Sequence, residues 1–351
     1  MASRWFRRIG TKRSGFRYVN DDGRIIRDRR VLARIDALRV PPAWRDVHIA
    51  AAPRSSIQAW GFDVRGRKQY RYHSRAVERR ELRKYYKVRE LAKSLPRVRR
   101  VLREEAGTAR RTLTRSAVAA TVLRLISESF CRVGGERYAR ENGTYGITTL
   151  RKSHVEVERD RVIFSYMGKG NKRQRQVVVG RELADLVKRQ LRAPGTRLFR
   201  FQSGRGGWCD LTARDVNNYL HERLGPSYSA KDFRTWGGTL RAATVLAEIG
   251  PARSPTEAKR NVALAMRLVA SELGNTATIC RKSYVHPIVV ARYLDEGDTI
   301  ALSRARRQAR ARGQAHLPEE RALIAFLDRH FPERRRRQRV TRNAQRVTRV
   351  A

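Results

Sequence analysis

The sequence predicts an α+β protein, in which a small amino-terminal antiparallel β-sheet domain precedes a larger, mainly α-helical domain. Three observations lead to this fold class. Strand-like alternation and turn residues extend from about residue 16 to residue 75. From Ala76 onward the composition becomes charged and helical. Three strand-like segments between residues 154 and 179 then interrupt the helical region and predict a small three-stranded sheet.

The composition bounds the class of protein. The chain has 351 residues, 40% of them hydrophobic, and carries 79 Lys and Arg against 33 Asp and Glu, a net charge of +46. This length allows two domains with a buried core, so global disorder is excluded. So large a charge attracts polyanions through counterion release, which indicates nucleic acid as the partner. A membrane surface is the weaker alternative, because no basic amphipathic helix and no membrane-length apolar run stand out.

Two hairpins are predicted in the amino-terminal domain. The first pairs residues 16–19 with residues 24–26 across an Asn-Asp-Asp-Gly turn. The second pairs residues 57–61 with residues 68–72. An extended, proline-stiffened segment, Leu38–Trp44, connects the two hairpins.

The domain boundaries follow from the shifts in composition. We place the β-rich domain at residues 1–82 and the mainly helical domain at residues 83–330. Residues 331–351 form an arginine-rich extension, which is predicted to be a disordered tail. Within the helical domain the predicted meander has strands at 154–158, 161–166 and 174–179.

The chain lacks the motifs of several enzyme classes. It has no GxxxxGK[ST] loop, and Gly168-Lys169-Gly170 lies between strands instead of before a helix, so ATP use is not predicted. It has no HExxH motif and no dense cluster of Asp, Glu or His, and its three cysteines form no CxxC pair, so no metal and no cofactor are predicted. Chemistry on a phosphodiester would therefore depend on cations and a side-chain nucleophile.

Six polar side chains in the helical domain are candidates for that chemistry. Arg132 lies at the end of an apolar, helix-like stretch, residues 122–133, where a cation is costly unless it meets an anion. Lys169 lies at the predicted tip of a β-hairpin. The others are Lys231 and Arg234, three residues apart on one helical face, and Asn275 and Tyr284, nine residues apart. Taken singly, each has an ordinary structural explanation. Arg132 is more often a salt-bridge partner, Lys169 a solvated turn residue and Tyr284 a core aromatic side chain.

Taken together and in this order, the candidates resemble the catalytic residues of type IB DNA topoisomerases of the bacterial and poxvirus-like branch. The resemblance extends over roughly residues 4–300 and includes the segments Pro41–Val47, Gly66–His73, Gly143–Leu150 and Lys231–Thr235. Long collinear matches of this kind are far more specific than the separate short motifs.

The resemblance implies relaxation of supercoiled DNA without ATP or metal. Tyr284 would attack a DNA phosphorus and form a 3′-phosphotyrosine with a free 5′-hydroxyl; religation needs no nucleotide because the ester is exchanged, not hydrolysed. Arg132, Arg234 and Asn275 would donate hydrogen bonds to the phosphate oxygens on which negative charge accumulates. Lys169 would be the general acid that protonates the departing 5′-oxygen.

Two positions need separate comment. Lys231 would either support Arg234 or contact phosphate. Many members of the family carry His where this chain has Asn275. An amide does not titrate, so it cannot be an acid or a base, but it can still donate a hydrogen bond to a phosphate oxygen.

The last strand of the β-rich domain carries the candidate DNA contacts. Lys68, Tyr70 and Tyr72 alternate onto one face, with Gln69 and Arg71 on the other. This pattern is equally consistent with phosphate and base-edge contact and with the packing face of the sheet. The resemblance favours Gln69, Tyr70 and Tyr72 as DNA contacts. It also implies a cytoplasmic, nucleoid-associated monomer whose two domains form a clamp around double-stranded DNA.

Two other classes of protein remain open from the sequence. Tyrosine recombinases share the Arg, Lys, [HK]xxR and Tyr pattern, but they usually carry a helical amino-terminal DNA-binding domain. A non-catalytic basic DNA-binding protein would explain the charge alone, and it would never become covalently attached to DNA.

Overall fold

The structure is a computed structural model that describes residues 5–204, 206–225, 228–311 and 316–331. The chain divides into two compact units, residues 1–85 and residues 86–351. The predicted α+β fold class is confirmed: the first unit contains an antiparallel sheet, and the second is mainly helical with a small three-stranded sheet.

The first unit is built on a five-stranded antiparallel sheet. Its elements are β1 (Trp5–Thr11), β2 (Gly15–Val19), α1 (Arg29–Ala37), β3 (Arg45–Ala50), β4 (Ile57–Phe62) and β5 (Lys68–Tyr72). The strand order is β2-β1-β3-β4-β5. Its core is formed by Ile35 of α1 together with Val47, Ile49 and Ala59 of the sheet. The predicted hairpin of β4 and β5 is confirmed, with Phe62 opposite Lys68.

Two predictions for this unit were wrong. Residues 29–37 form a helix within the region predicted as β, because Val31, Ile35 and Leu38 share one helical face toward the core and Asp28 caps the first turn. The first predicted hairpin is only partly present, since residues 24–26 contribute a single bridge, Val19 to Ile25. The strand that pairs with β2 along its length is β1, which was not predicted.

The second unit is mainly helical. Helix α2 (Ser74–Thr108) begins in the first unit and continues into the second. The further helices are α3 (Arg115–Ser129), α4 (Glu136–Asn142), α5 (Arg181–Arg192), α6 (Ala213–Leu224), α7 (Ala230–Ile249), α8 (Pro255–Leu273), α9 (Ala277–Ser283), α10 (Pro287–Glu296), α11 (Leu302–Ala311) and α12 (Pro318–His330). The strands are β6 (Val155–Glu158), β7 (Arg161–Gly168), β8 (Lys172–Val179), β9 (Arg200–Gln202) and β10 (Trp208–Asp210).

Helix α3 lies at the centre of this unit. It is apolar and buried over most of its length, and it packs against α6, α7 and the sheet β6-β7-β8. The predicted meander is confirmed as that sheet, with β7 in the middle. The pair β9 and β10, in a region predicted as helical, was not predicted.

Helix α3 ends earlier than the sequence predicted. The apolar stretch was expected to remain helical to residue 133, but the helix ends at Ser129 because Phe130 adopts the left-handed conformation, with φ of 52°. Arg132 therefore lies in the loop that follows the helix.

The predicted domain bounds at residues 82 and 330 stay predictions. The predicted tail, residues 331–351, lies outside the described residues except for Phe331.

Candidate active site

A cleft of about 310 Å³ in the second unit brings most of the candidate residues together. It is lined by Arg132, Lys169, Lys231, Arg234 and Tyr284. These residues come from four different parts of the fold: the loop after α3, the tip of the β7–β8 hairpin, α7, and the residue that follows α9. Asn275 is not among the lining residues, but it contacts one of them directly.

Arg132 connects the loop after α3 with the loop between α8 and α9. Its Nη2 donates to the carbonyl oxygen of Gly274 at 3.0 Å and also to the side-chain Oδ1 of Asn275. Because a guanidinium only donates, this contact fixes the orientation of the Asn275 amide. The Asn275 Nδ2 lies 3.5 Å from the Leu273 carbonyl, too far for a strong hydrogen bond, so this amide nitrogen can still donate to a ligand.

Arg234 lies one turn into α7 and is 3% exposed. Its Nη1 donates to the carbonyl oxygen of Phe130, and its Nη2 to that of Leu273 at 2.9 Å. The start of α7 is fixed by the Asp232 carboxylate, which accepts from the Ser229 N–H at 2.7 Å and forms an ion pair with Lys87 at 2.8 Å. The helix therefore presents Lys231 and Arg234 to the cleft in a defined register.

Arg132 and Arg234 create a strong positive potential. Arg234 is buried and Arg132 is half-buried. Desolvation lowers the pKa of the Arg132 guanidinium, and the positive charge of Arg234 lowers it further. Neither side chain forms an ion pair with a carboxylate of the described residues; their partners are carbonyl and amide oxygens. Two cations that are partly or fully withdrawn from solvent and have no anionic partner among these residues favour an anion in the cleft.

Lys169 lies at the tip of the β7–β8 hairpin, as the sequence predicted. The turn comprises Lys169, Gly170 and Asn171, of which the last two have positive φ. The Lys169 side chain is exposed, lines the cleft and forms no hydrogen bond or ion pair with another described residue. Its amine is therefore available to a ligand.

Tyr284 directly follows α9 and is half-buried. Its ring centre lies 5.2 Å from Cζ of Arg234 and 5.7 Å from Nζ of Lys231. Its backbone packs on α7: a Cβ added to Gly238 would lie 2.9 Å from the Tyr284 carbonyl oxygen, a contact that only glycine avoids. Thr239 follows Gly238 on α7. Its hydroxyl donates to the Tyr284 carbonyl oxygen at 3.2 Å and accepts from the His286 N–H at 3.0 Å.

Several site residues were missed by the sequence reasoning. Tyr138, Thr144 and Tyr145 also line the cleft, although only the last two lie in a segment noted for its resemblance. Gly238 and Thr239 lie three and four residues after the segment that contains Arg234, and nothing in the local pattern distinguishes their contacts with Tyr284 from ordinary helix packing.

The predicted DNA contacts of the first unit form an exposed aromatic and cationic surface. Tyr70 and Tyr72 stack with ring centres 5.8 Å apart. Lys68 Nζ lies 3.7 Å above the centre of the Trp60 ring, and Arg80 Cζ lies 4.4 Å above that of Tyr72. Both tyrosines are exposed and lie outside the core of the unit, so this face of β5 is not the packing face.

Gln69 lies on the other face of β5. Its Nε2 donates to the Asp63 carboxylate at 3.0 Å. The same carboxylate accepts from the side chain and backbone N–H of Arg67, and these hydrogen bonds lower the pKa of Asp63 to about 2. Ionised Asp63 therefore orders the β4–β5 turn and fixes the Gln69 amide.

No group of three or more His, Cys, Asp or Glu that could hold a metal ion was found in the part of the chain that the structure describes. Among the same residues, no helix is long and apolar enough to cross a membrane.

Most of the sequence matches two protein family models. A family model described as the catalytic core of eukaryotic DNA topoisomerase I matches residues 68–310. A second, for the N-terminal domain of bacterial DNA topoisomerase IB, matches residues 15–63. The chain therefore belongs to the type IB DNA topoisomerases, and it is an enzyme of the isomerase class.

Viral relatives are similar over most of the chain. The DNA topoisomerase 1B of Acanthamoeba polyphaga mimivirus is 32% identical over 261 residues, which cover 72% of this chain and 77% of the relative. The DNA topoisomerase 1B of vaccinia virus (strain Copenhagen) is 24% identical over 242 residues, covering 67% of this chain and 72% of the relative.

Proposed function

We propose that this enzyme relaxes supercoiled double-stranded DNA through a covalent intermediate on Tyr284. The observation that carries the proposal is the cleft itself, in which a tyrosine lies with one buried and one half-buried arginine that have no carboxylate partner among the described residues. A phosphodiester supplies the missing anion, and the tyrosine supplies the nucleophile.

The reaction is a transesterification at phosphorus. The Tyr284 phenolic oxygen bonds to phosphorus, the bond from phosphorus to the 5′-oxygen breaks, and Lys169 gives that oxygen a proton. The DNA is left with a 3′-phosphotyrosine and a free 5′-hydroxyl, and religation is the reverse. The broken strand rotates before religation, which releases supercoils, and the retained ester makes nucleotide hydrolysis unnecessary.

The charge distribution explains how the transition state is stabilised. Arg132 and Arg234 are held by carbonyl oxygens before DNA arrives, so their N–H donors need little rearrangement. Asn275 adds a neutral donor through its Nδ2. Lys231 lies beside the Tyr284 ring, where it contacts phosphate or the phenolic oxygen. Lys169 contributes as a general acid, typically ~10²–10⁴-fold in rate.

Strand β5 is proposed to bind the duplex through Tyr70 and Tyr72 on its exposed aromatic face and through Gln69 on its other face. Tyrosines beside cations suit contacts with phosphates and base edges. We expect the enzyme to act as a cytoplasmic, nucleoid-associated monomer, with its two units clamped around DNA. A tyrosine recombinase is disfavoured, because the first unit is a β-sheet and not a helical domain.

The test is relaxation of supercoiled plasmid in EDTA without nucleotide. The parent should relax the plasmid. The Tyr284→Phe variant should bind duplex DNA with unchanged affinity but neither relax plasmid nor form a trapped covalent adduct. Relaxation by Tyr284→Phe would show that another residue is the nucleophile, and strand exchange between two sites would restore the recombinase alternative.

A further inference from the structure

Two glutamines occupy the inner face of β8, the strand that follows the Lys169 turn. Gln174 is 9% exposed and Gln176 is half-buried. Arg173, which precedes Gln174, and Arg175, which lies between the two glutamines, are exposed. A buried side-chain amide is costly without hydrogen-bond partners, so their surroundings show what holds them there.

Gln176 contacts the segment that leads to Arg132. Its Oε1 accepts from the Cys131 thiol, and also from the Tyr166 hydroxyl at 3.2 Å. Its Nε2 donates to the Ser129 carbonyl oxygen at 3.3 Å. The amide therefore connects the hairpin to the residue immediately before Arg132.

Gln174 contacts the segment that leads to Asn275. A Cβ added to Gly274 would lie 1.8 Å from the Gln174 Oε1, so this amide packs directly on the glycine before Asn275. A Cβ added to Gly168 would lie 2.7 Å from the Gln174 Cγ. The two glycines leave room for the same side chain, and one of them immediately precedes Lys169. The Gln174 Nε2 donates to the Arg173 carbonyl oxygen at 3.1 Å within its own strand.

We propose that Gln174, supported by Gln176, is a positioning residue that fixes the β7–β8 hairpin so that Lys169 is directed at the leaving 5′-oxygen. The inference rests on the general-acid role of Lys169 in the proposed function. Lys169 has no hydrogen-bond partner of its own among the described residues, so its position depends on the base of the hairpin. Gln176 connects that base to the loop of Arg132 through hydrogen bonds, and Gln174 packs against the loop of Asn275. Such preorganisation affects the cleavage rate, because a displacement of about 1 Å at a reacting group can cost on the order of 10²-fold in rate.

The experiment compares two DNA substrates in single-turnover cleavage at saturating enzyme. One has an ordinary 5′-bridging oxygen, and the other has sulfur at that atom, a leaving group that needs no proton. Gln174→Ala should slow cleavage of ordinary DNA by about 10- to 100-fold, with unchanged DNA affinity. The sulfur substrate should recover most of that loss, as it should for Lys169→Ala. In the Lys169→Ala background, Gln174→Ala should add less than about 3-fold.

Two further variants separate positioning from folding. Gln174→Met keeps a side chain of similar volume against Gly168 and Gly274, so it should cleave ordinary DNA faster than Gln174→Ala, with a melting temperature close to that of the parent. Val177→Ala, on the exposed face of the same strand, should cleave both substrates at the parent's rate.

Each outcome has a definite meaning. Suppose that Gln174→Ala loses the same cleavage rate on both substrates, while the sulfur substrate restores cleavage by Lys169→Ala. That result would overturn the inference and leave the proposed function intact. Parental cleavage of ordinary DNA by Gln174→Ala and Gln174→Met would also overturn it. Failure of sulfur to recover Lys169→Ala would overturn the general-acid role and the inference with it.

Discussion

At the scale of single residues, Asn275 stands where the resemblance leads us to expect a histidine. Its Oδ1 accepts from Arg132, its side chain also hydrogen-bonds the Cys280 thiol, and its Nδ2 is proposed to donate to phosphate. We expect Asn275→Ala to slow cleavage by about 1–3 kcal/mol of transition-state free energy without weakening DNA binding. Asn275→His should retain activity and exceed the parent below about pH 6.5, where a protonated ring donates a charge-assisted hydrogen bond.

The measurement is single-turnover cleavage from about two pH units below to two above the ordinary His pKa of ~6.5. The pH profile of the cleavage rate should have the same inflections in the parent and in Asn275→Ala, since an amide does not titrate. If Asn275→Ala cleaves as fast as the parent, the amide serves only to hold Arg132 and does not contact phosphate.

Gly238 is a second residue whose identity the site requires. A methyl group at this position would lie 2.9 Å from the Tyr284 carbonyl oxygen and 3.2 Å from its Cβ, so Gly238→Ala must displace the tyrosine. We expect saturated cleavage to fall by roughly 10- to 100-fold with little change in the dissociation constant for DNA.

Gly107→Ala is the matched control, because Gly107 also lies in a helix but has open space around it. It should leave cleavage unchanged and stabilise the protein by roughly 0.5–1 kcal/mol. Equal cleavage by Gly238→Ala and the parent would show that α7 tolerates the methyl group by moving away from Tyr284.

At the scale of elements, the β4–β5 turn depends on the charge of Asp63. Hydrogen bonds from Arg67 lower the pKa of this carboxyl group from 3.8 to about 2. Its stabilisation is therefore fully present above pH 3.8 and is lost as the pH falls through about 2. We expect the stability difference between the parent and Asp63→Asn to be largest near pH 5 and to narrow toward pH 3.

Urea unfolding at both pH values, followed by tryptophan fluorescence, measures this difference. A constant difference between the parent and Asp63→Asn at pH 5 and pH 3 would mean that the carboxylate acts through its shape and not through its charge.

Some of these elements could be predicted from the sequence, and others could not. The β4–β5 hairpin and the meander were predictable, because strand alternation and turn residues are local signals. Helix α1 was missed because it has only nine residues, so few apolar positions reveal its period. The contact of Arg132 with Asn275 joins residues 143 apart, and no local pattern specifies such a pairing. Order along the chain predicted the candidate site residues, and the fold was needed to show which of them contact one another.

At the scale of the whole molecule, the net charge of +46 makes DNA affinity strongly dependent on salt. The arginine-rich residues 334–337 and 339 lie in the predicted tail. Each phosphate they neutralise steepens the dependence of log K on log salt by about 0.9. We expect deletion of residues 333–351 to flatten that slope and to leave saturated single-turnover cleavage nearly unchanged.

Filter binding across a salt series, with cleavage measured on the same preparations, checks this. Replacement by glutamine of all the arginines that the deletion removes, at positions 334–337, 339, 342, 346 and 349, should flatten the slope about equally in the full-length chain, which separates charge from length. A large loss of saturated cleavage on deletion would place the tail within the chemistry.

Helix α7 carries both Arg234 and the two residues on which the Tyr284 backbone rests. Gly238 follows Arg234 by four positions, a rise of about 6 Å along the helix axis. The distance between the proposed phosphate-binding cation and the proposed nucleophile is therefore set by helix geometry, as long as Gly238 leaves room for the Tyr284 backbone. Insertion of one residue between them would rotate Gly238 by about 100° relative to Arg234 and turn it away from Tyr284. We therefore expect a change of length in this stretch to disrupt the cleft as much as the loss of Gly238 itself.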